Sequence, residues 1–247
     1  MTTRRIMATS GGFLPGDRYS VATPGETVRR MLALTGKDRP RLTLVMTASG
    51  DDRSYLTRSY AAFSGWSVDV RHLELFPMPN RDPREAILDS DAVWVGGGSV
   101  ANLLALWQLH GVDAAMREAW EAGVVLGGVS AGSLCWHEGG TTDSFGPVLR
   151  VVTNGLGLLP YANGVHYDSE EQRRPLLQSL VADGTLGTAY ATDDYVGILY
   201  EGTEPVEVVT DRPATSSGGP MAYRVERSAD DAGQPTVVET PLPPGRL

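Results

Sequence analysis

The chain has 247 residues, of which 41% are hydrophobic, and a formal net charge of −9. This composition suits one globular core and argues against a disordered chain. An acidic chain without a basic face is not expected to bind nucleic acid, and no run reaches the roughly 20 apolar residues of a membrane helix.

Compartment is suggested by the single cysteine and by the N-terminus. Cys135 has no partner for an intramolecular disulfide, which fits a reducing environment. The apolar run after Arg4 and Arg5 covers only residues 6–8, whereas an export signal needs about 7–15 apolar residues. We therefore expect a cytoplasmic protein. We also expect it to need no metal and no cofactor.

The first half of the chain alternates short apolar runs with longer amphipathic segments. The predicted strands are residues 5–9, 42–46, 67–75, 92–95 and 124–126. The predicted helices are residues 26–34, 51–63, 83–90, 100–109 and 112–122. Strands that alternate with helices indicate βαβ units and a mostly parallel sheet covered on both faces.

The last third of the chain has a different pattern. Four short strands are predicted, at residues 188–191, 196–200, 206–210 and 221–225. Because they follow one another closely, we expect an antiparallel addition at one edge of the sheet. Residues 1–228 are predicted to form a single domain. Residues 229–247, rich in proline, glycine and aspartate, are predicted to be a loose tail.

A short glycine-rich motif supplies the candidate nucleophile. Residues 128–132 read Gly-Val-Ser-Ala-Gly and fit the pattern G-x-S-x-G. The pattern is weak alone, but here it follows a predicted strand and precedes a predicted helix at 131–136, as in a nucleophile elbow. The alternative is a structural serine in a glycine-rich turn. Ser130 is the candidate nucleophile of a serine hydrolase.

A serine nucleophile needs a base, which is usually a histidine. His166 follows a short apolar run at residues 161–165, where a strand end would present a catalytic group. The other three histidines are better explained as a surface residue, a helix cap and a residue two turns along the helix after Ser130: His72, His110 and His137. By elimination, His166 is the candidate base.

The remaining parts of such a site are less clearly marked. The acid that orients the histidine is left open between Asp143, Glu138 and Asp168. An oxyanion hole needs two N–H groups near the nucleophile. Ala131 can supply one, and Gly97 or Gly98 at the end of the strand at 92–95 can supply the other. The Gly-Gly-Gly-Ser run fits neither phosphate-binding pattern, so a nucleotide is not expected.

Four segments together resemble the peptidase E family, which comprises serine dipeptidases and relatives such as cyanophycinases. They are Val-Gly-Gly-Gly-Ser-Val-Ala-Asn-Leu-Leu (95–104), Gly-Gly-Val-Ser-Ala-Gly-Ser (127–133), Thr-Thr-Asp (141–143) and Gly-Val-His-Tyr (164–167). The resemblance runs from the first strand to residues 195–198. It implies a flavodoxin-like three-layer α/β sandwich, similar to class I glutamine amidotransferases, and a small peptide as substrate.

Carried over residue by residue, the resemblance makes Ser130 the nucleophile, His166 the base and Asp143 the acid. It also implies an oxyanion hole formed by Gly97, Gly98 and Ala131. A homodimer is an open option for the assembly.

The chain departs from the family in two places. Ser99 stands where the family often has asparagine. Glu170 stands where members specific for an N-terminal aspartate carry an arginine, which argues against that preference, although Arg173 or Arg174 could substitute. The predicted substrate-binding residues are Ser99, Tyr167, Glu170 and Arg173.

An amidotransferase-like enzyme would need a cysteine at the elbow, and Cys135, five residues after Ser130, is better explained as a small buried residue. Two further rival functions remain open from the sequence. An α/β-hydrolase esterase shares the order Ser, Asp, His, but that fold places its histidine near the C-terminus and none follows His166 here. The other rival is a small-molecule-binding module that keeps the fold without turnover.

Overall fold

The computed structural model describes residues 3–17, 21–212 and 219–247. The strands, numbered in chain order, are β1 (Arg5–Thr9), β2 (Phe13–Pro15), β3 (Ala22–Pro24), β4 (Arg41–Val45), β5 (Asp69–Leu73), β6 (Ala92–Val95), β7 (Val125–Val129), β8 (His137–Thr142), β9 (Arg150–Val152), β10 (Leu159–Gly164), β11 (Ala189–Thr192), β12 (Val196–Glu201), β13 (Glu204–Thr210), β14 (Ala222–Ala229), β15 (Pro235–Leu242) and β16 (Gly245–Arg246). The helices are α1 (Glu26–Ala33), α2 (Arg53–Ala62), α3 (Pro83–Leu88), α4 (Val100–His110), α5 (Val112–Ala122), α6 (Ala131–Leu134) and α7 (Arg173–Ala182).

The larger sheet has eight strands in the order β16-β13-β12-β1-β7-β6-β4-β5. The five strands from β1 to β5 in this order are parallel, and the other three are antiparallel at one edge. Neighbouring residues of β1 point to opposite faces. Ile6 and Ala8 pack into the core cluster that holds α4 and α5, and Met7 packs into the cluster that holds α1. The predicted α/β class is therefore confirmed.

A second sheet of six strands, in the order β15-β14-β11-β10-β8-β9, was not predicted. Its central strands β8, β10 and β11 are parallel, and their carboxyl ends lie at one edge. The prediction that the late strands all join one sheet edge was wrong. β12 and β13 extend the larger sheet, whereas β11 and β14 belong to the second sheet.

The predicted loose tail at residues 229–247 is also corrected. β15 pairs with β14 from Ala222 opposite Leu242 to Ala229 opposite Pro235. The run from Thr236 to Thr240 is rich in β-branched residues, which favour a strand. Its flanking prolines are tolerated because β15 is an edge strand.

Among the described helices, none has both the length and the apolar character needed to cross a bilayer.

Candidate active site

The carboxyl ends of strands from both sheets meet around a cavity of about 410 Å³. Its walls include Ser10 after β1, Val129 at the end of β7, His166 after β10 and Asp194 after β11. Cavities that bind small ligands are typically about 300–1,000 Å³, so this cavity is large enough for a short peptide.

Ser130 lies between β7 and α6, at the edge where the parallel strands of the larger sheet have their carboxyl ends. Its backbone has φ 57° and ψ −112°, a conformation that residues other than glycine rarely adopt. Its N–H donates to the Thr9 carbonyl at 3.0 Å, and its side chain is half-buried. Strained conformations of this kind persist where the surrounding structure fixes them, often at functional sites.

The packing around this turn explains both glycines of the G-x-S-x-G pattern. A Cβ placed on Gly128 would lie 2.5 Å from the Gly132 carbonyl oxygen. A Cβ placed on Gly132 would lie 2.2 Å from the Val95 carbonyl oxygen. Both neighbours are backbone atoms that cannot move aside. The strand, the turn and α6 therefore hold Ser130 against the end of β6 only if these two positions lack side chains.

The residues predicted for the oxyanion hole lie beside Ser130. A Cβ placed on Gly97 would be 3.3 Å from the Ser130 Cβ. Gly98, the next residue, has φ +136° and approaches the Ala48 carbonyl too closely for any side chain. Ala131 is the first residue of α6, where backbone N–H groups have no partner within the helix.

His166 is tied to the end of β1 by its backbone. It lies two residues after β10, with φ 52°, and its N–H donates to Ser10 Oγ at 3.0 Å. Ser10 Oγ is also hydrogen-bonded to Thr192 Oγ1 at 2.6 Å. Within the described residues, Ser130 and His166 are not hydrogen-bonded to each other. They are brought to one edge because Ser130 bonds to Thr9 and His166 to Ser10.

The carboxylate that contacts His166 belongs to Asp194. Asp194 Oδ1 lies 2.6 Å from His166 Nδ1. β10 and β11 are parallel neighbours, and each of these two residues lies two positions beyond the end of its strand. The Asp194 N–H in turn donates to Asp168 Oδ1 at 2.8 Å.

The structure does not bring Asp143, the acid predicted by the resemblance, into contact with His166. Asp143 follows β8, on the other side of β10. Its side chain is 59% exposed and lies 3.7 Å from the guanidinium of Arg173, not at His166. Of the open alternatives, Asp168 supports Asp194, and Glu138 lines a different cavity.

The predicted substrate-binding residues are also placed elsewhere. Ser99 is the N-cap of α4, and its Oγ accepts from the Asn102 N–H at 3.2 Å. Tyr167 and Arg173 are buried, and Glu170 accepts from Arg173 at 2.7 Å. The wall of the cavity beside His166 includes none of these four residues. Ser99 caps a helix, and the other three are engaged in contacts within the second sheet and α7.

Side chains of α2 line the cavity instead, and the sequence reasoning missed them. Tyr55, Arg58 and Ser59 all face it, and their spacing of three and four residues places them on one side of a helix. Burial raises the pKa of Tyr55, and its contact with the Gly97 backbone opposes part of that rise. Arg58 forms no ion pair among the described residues.

Cys135 is not placed for chemistry. It is buried in α6's C-terminal turn, and burial raises the pKa of its thiol well above the ordinary value, which disfavours the reactive thiolate. Across residues 3–17, 21–212 and 219–247, no group of three or more His, Cys, Asp or Glu side chains could hold a metal ion.

Comparison with known proteins shows the family of the chain. Residues 6–208 match the family model "Peptidase family S51". The chain belongs to peptidase family S51. It is 37% identical over 207 residues to a protein of Bacillus subtilis (strain 168) called "Uncharacterized peptidase YgaJ", covering 84% of this chain and 85% of that one. A protein of Shewanella denitrificans called "Peptidase E" is 34% identical over 139 residues, which is 53% of this chain and 57% of that one.

A solved structure agrees in fold. A peptidase from an acI-B1 Actinobacterium superposes with a TM-score of 0.71 over 99% of this chain and 96% of that chain, at 14% identity. Such low identity shows the fold alone, whereas the family match carries the activity class. The protein is a serine-type peptidase of family S51, and the resemblance seen in the sequence is confirmed.

Proposed function

We propose that the protein hydrolyses short peptides through an acyl-enzyme on Ser130, with His166 as the base and Asp194 as the acid, on a flavodoxin-like three-layer scaffold. The contact between His166 Nδ1 and Asp194 Oδ1 at 2.6 Å carries the proposal. With Nδ1–H donating to the carboxylate, Nε2 is the nitrogen left to accept the Ser130 proton.

The reaction follows from these positions. The Ser130 hydroxyl attacks the peptide carbonyl while His166 takes its proton. The developing oxyanion is stabilised by backbone N–H groups of Ala131 and of Gly97 or Gly98. His166 then protonates the leaving amine, and the bond to that amine breaks. Water, activated by His166, hydrolyses the acyl-enzyme and restores Ser130.

The cavity favours short peptides with a free carboxylate, as in a dipeptidase. Arg58 is exposed on the α2 wall and has no ionic partner among the described residues. A guanidinium pairs well with a carboxylate because it offers two parallel N–H donors. In a chain with a net charge of −9, one such group in the cavity would select where the substrate's negative charge binds.

The decisive experiment is Ser130→Ala measured against a panel of dipeptides and their C-terminal amides. We expect Ser130→Ala to lose at least about 1,000-fold in kcat and all labelling by a fluorophosphonate, because only an activated serine reacts. Ser64→Ala, at an exposed serine that does not line the cavity, is the matched control. Undiminished hydrolysis by Ser130→Ala would reject the proposal.

A further inference from the structure

The antiparallel pair β14 and β15, here called the C-terminal hairpin, lies beyond the residues that match the family model. It packs against α7 through a small core that includes Leu177, Val181 and Val225. Its side chains also contact residues directly next to His166 and Asp194 in the chain. The hairpin thus contacts the chain neighbours of His166 and Asp194, and none of its residues lines the cavity.

The first contact is made by Glu239 of β15, whose side chain is only 16% exposed. Glu239 accepts from the Tyr167 hydroxyl at 2.8 Å and from Gln178 Nε2 at 2.9 Å, and it forms an ion pair with Arg174. Burial raises the pKa of Glu239, but these hydrogen bonds together outweigh it and hold the pKa below its ordinary value. Glu239 is therefore a carboxylate at neutral pH. Tyr167, which it fixes, directly follows His166.

Arg174 extends this contact to the other strand of the hairpin. Its guanidinium carbon lies 5.0 Å from the centre of the Tyr167 ring and 4.7 Å from the centre of the Tyr223 ring. Cation–π contacts of this length are favourable, more so when partly desolvated. Glu239, Arg174, Tyr167 and Tyr223 therefore form one cluster, which we call the aromatic clamp.

The second contact reaches the acid. Asp193 Oδ2 accepts from the Met221 N–H at 3.0 Å and from the Tyr223 hydroxyl at 3.3 Å. Met221 directly precedes β14, and Asp193 directly precedes Asp194. The turn that presents Asp194 is thus bonded to the same hairpin that fixes Tyr167.

We infer that the C-terminal hairpin positions the His166–Asp194 pair, with Glu239 as the central positioning residue. This inference rests on the proposed function. His166 has φ 52° and Tyr195, directly after Asp194, has φ 69°, so the backbone is strained at the base and next to the acid. Strained conformations persist only while their surroundings fix them. Weakening the aromatic clamp lets the two turns relax and moves the imidazole relative to Asp194 and Ser130.

The test is Glu239→Gln, which keeps the shape of the side chain and removes the charge that pairs with Arg174. We expect kcat to fall about tenfold with KM within about twofold, because small displacements of reacting groups slow the chemical step. We also expect the downfield proton resonance of the His166 Nδ1–H···Asp194 hydrogen bond to weaken or move upfield. A purely structural role would leave that resonance in place.

Glu226→Gln is the matched control. It is the same substitution on β14, and its ionic partner is the surface residue Arg224. Tyr167→Phe is the second variant, since it removes one hydroxyl from the aromatic clamp and keeps the ring. Should Glu239→Gln fail to fold, Tyr167→Phe is expected to show the same changes in kcat and in the resonance, at smaller size.

The outcomes separate this inference from the proposed function. If wild-type protein neither hydrolyses peptides nor reacts with a fluorophosphonate at Ser130, the proposed function fails. If the wild type does both, and the folded variants Glu239→Gln or Tyr167→Phe match it in kcat and in the His166 resonance, the positioning role is overturned.

Discussion

The two sheets meet at one cavity but hold their functional groups in different ways. The larger sheet fixes Ser130 by backbone contact, because Gly128 and Gly132 approach carbonyl oxygens too closely for any side chain. His166 and Asp194, which follow strands of the second sheet, are instead held by hydrogen bonds that their backbone N–H groups donate to Ser10 Oγ and to Asp168 Oδ1. Backbone clashes act as all-or-none constraints, whereas single hydrogen bonds are each worth about 1 kcal/mol. A substitution at the glycines of the larger sheet should therefore abolish the local structure outright. Removing one hydrogen bond beside the second sheet should instead lower stability and activity by a small step.

The largest effect should come from Asp194, the proposed acid, whose carboxylate contacts the His166 imidazole. In Asp194→Asn, the amide can donate to Nδ1 and favour the wrong tautomer of His166, so we expect kcat to fall about 1,000- to 10,000-fold. The matched control is Asp143→Asn, whose carboxylate is largely exposed, and we expect kcat within about twofold of wild type. Steady-state kinetics on one dipeptide would decide it. The reverse order of effects would restore Asp143 as the acid.

The next largest effect tests the close backbone contact that fixes Ser130 in the larger sheet. Gly132→Ala places a Cβ 2.2 Å from the Val95 carbonyl oxygen, and we expect about 3 kcal/mol of lost stability together with loss of fluorophosphonate labelling. Gly187→Ala is the control, because a Cβ there meets no atom within 4 Å. Chemical denaturation and labelling measure the two effects. A Gly132→Ala protein that is stable and fully labelled would break the contrast between the sheets.

A third prediction concerns a buried histidine at the start of β8 in the second sheet. Burial lowers the pKa of His137 to about 4, with a weaker opposing effect from its bond to the Ser133 carbonyl. The unfolded chain binds this proton more readily, so stability is full above about pH 6.5 and falls as the pH drops toward 4. We expect protonation of His137 to lower the free energy of unfolding by about 2 kcal/mol between pH 7 and pH 5.

Urea denaturation across this pH range measures the slope of the unfolding free energy. The variant His137→Gln has no proton to gain at this position, so its slope should be smaller by about one proton than that of wild type. Equal slopes in the two proteins would contradict the prediction.

The smallest effect should come from the residue that joins the two sheets. Ser10→Ala removes the acceptor of the His166 N–H and the partner of Thr192, and we expect a loss of about 1 kcal/mol and a fall in kcat of about fivefold. Thr192→Val removes one of these two bonds and leaves the bond from His166, so its kcat should fall less. A larger fall in Thr192→Val would show that Ser10 does not set the position of the base.

The residues around Ser130 could be predicted because the determinants are local. A buried strand, two obligatory glycines and a short helix follow one another within ten residues, and each leaves a mark on the sequence. The glycine run at 96–98 is also a local mark, and at Gly98 the backbone approaches the Ala48 carbonyl too closely for any side chain.

The contact between Asp194 and His166 could not be predicted in this way because it depends on pairing between distant strands. Asp143 and Asp194 follow the two strands that flank β10, so both lie at the same sheet edge as His166. Interpreting residues 188–191 as part of an antiparallel addition hid the parallel pairing of β10 with β11. The acidic pair at 193 and 194, just after a short apolar run, was the available signal.

The strand β15 was not predicted because residues 229–247 are rich in proline, glycine and aspartate, and this composition was given more weight than the β-branched run within it. Pro235 and Pro241 flank a run in which most residues are β-branched, and an edge strand tolerates both prolines. Composition reports only average tendencies, whereas pairing with β14 depends on the order of the residues.

The arrangement of β1 and β12 has a consequence for the newly made chain. β1, which anchors both Ser130 and His166, pairs with β12, and Asp194 and Glu239 are made later than Ser130. A ribosome-bound chain that has exposed Ser130 but not residues 159–242 therefore carries a nucleophile without a base, an acid or the hairpin. On the proposed mechanism, we expect such a chain to hydrolyse no peptide.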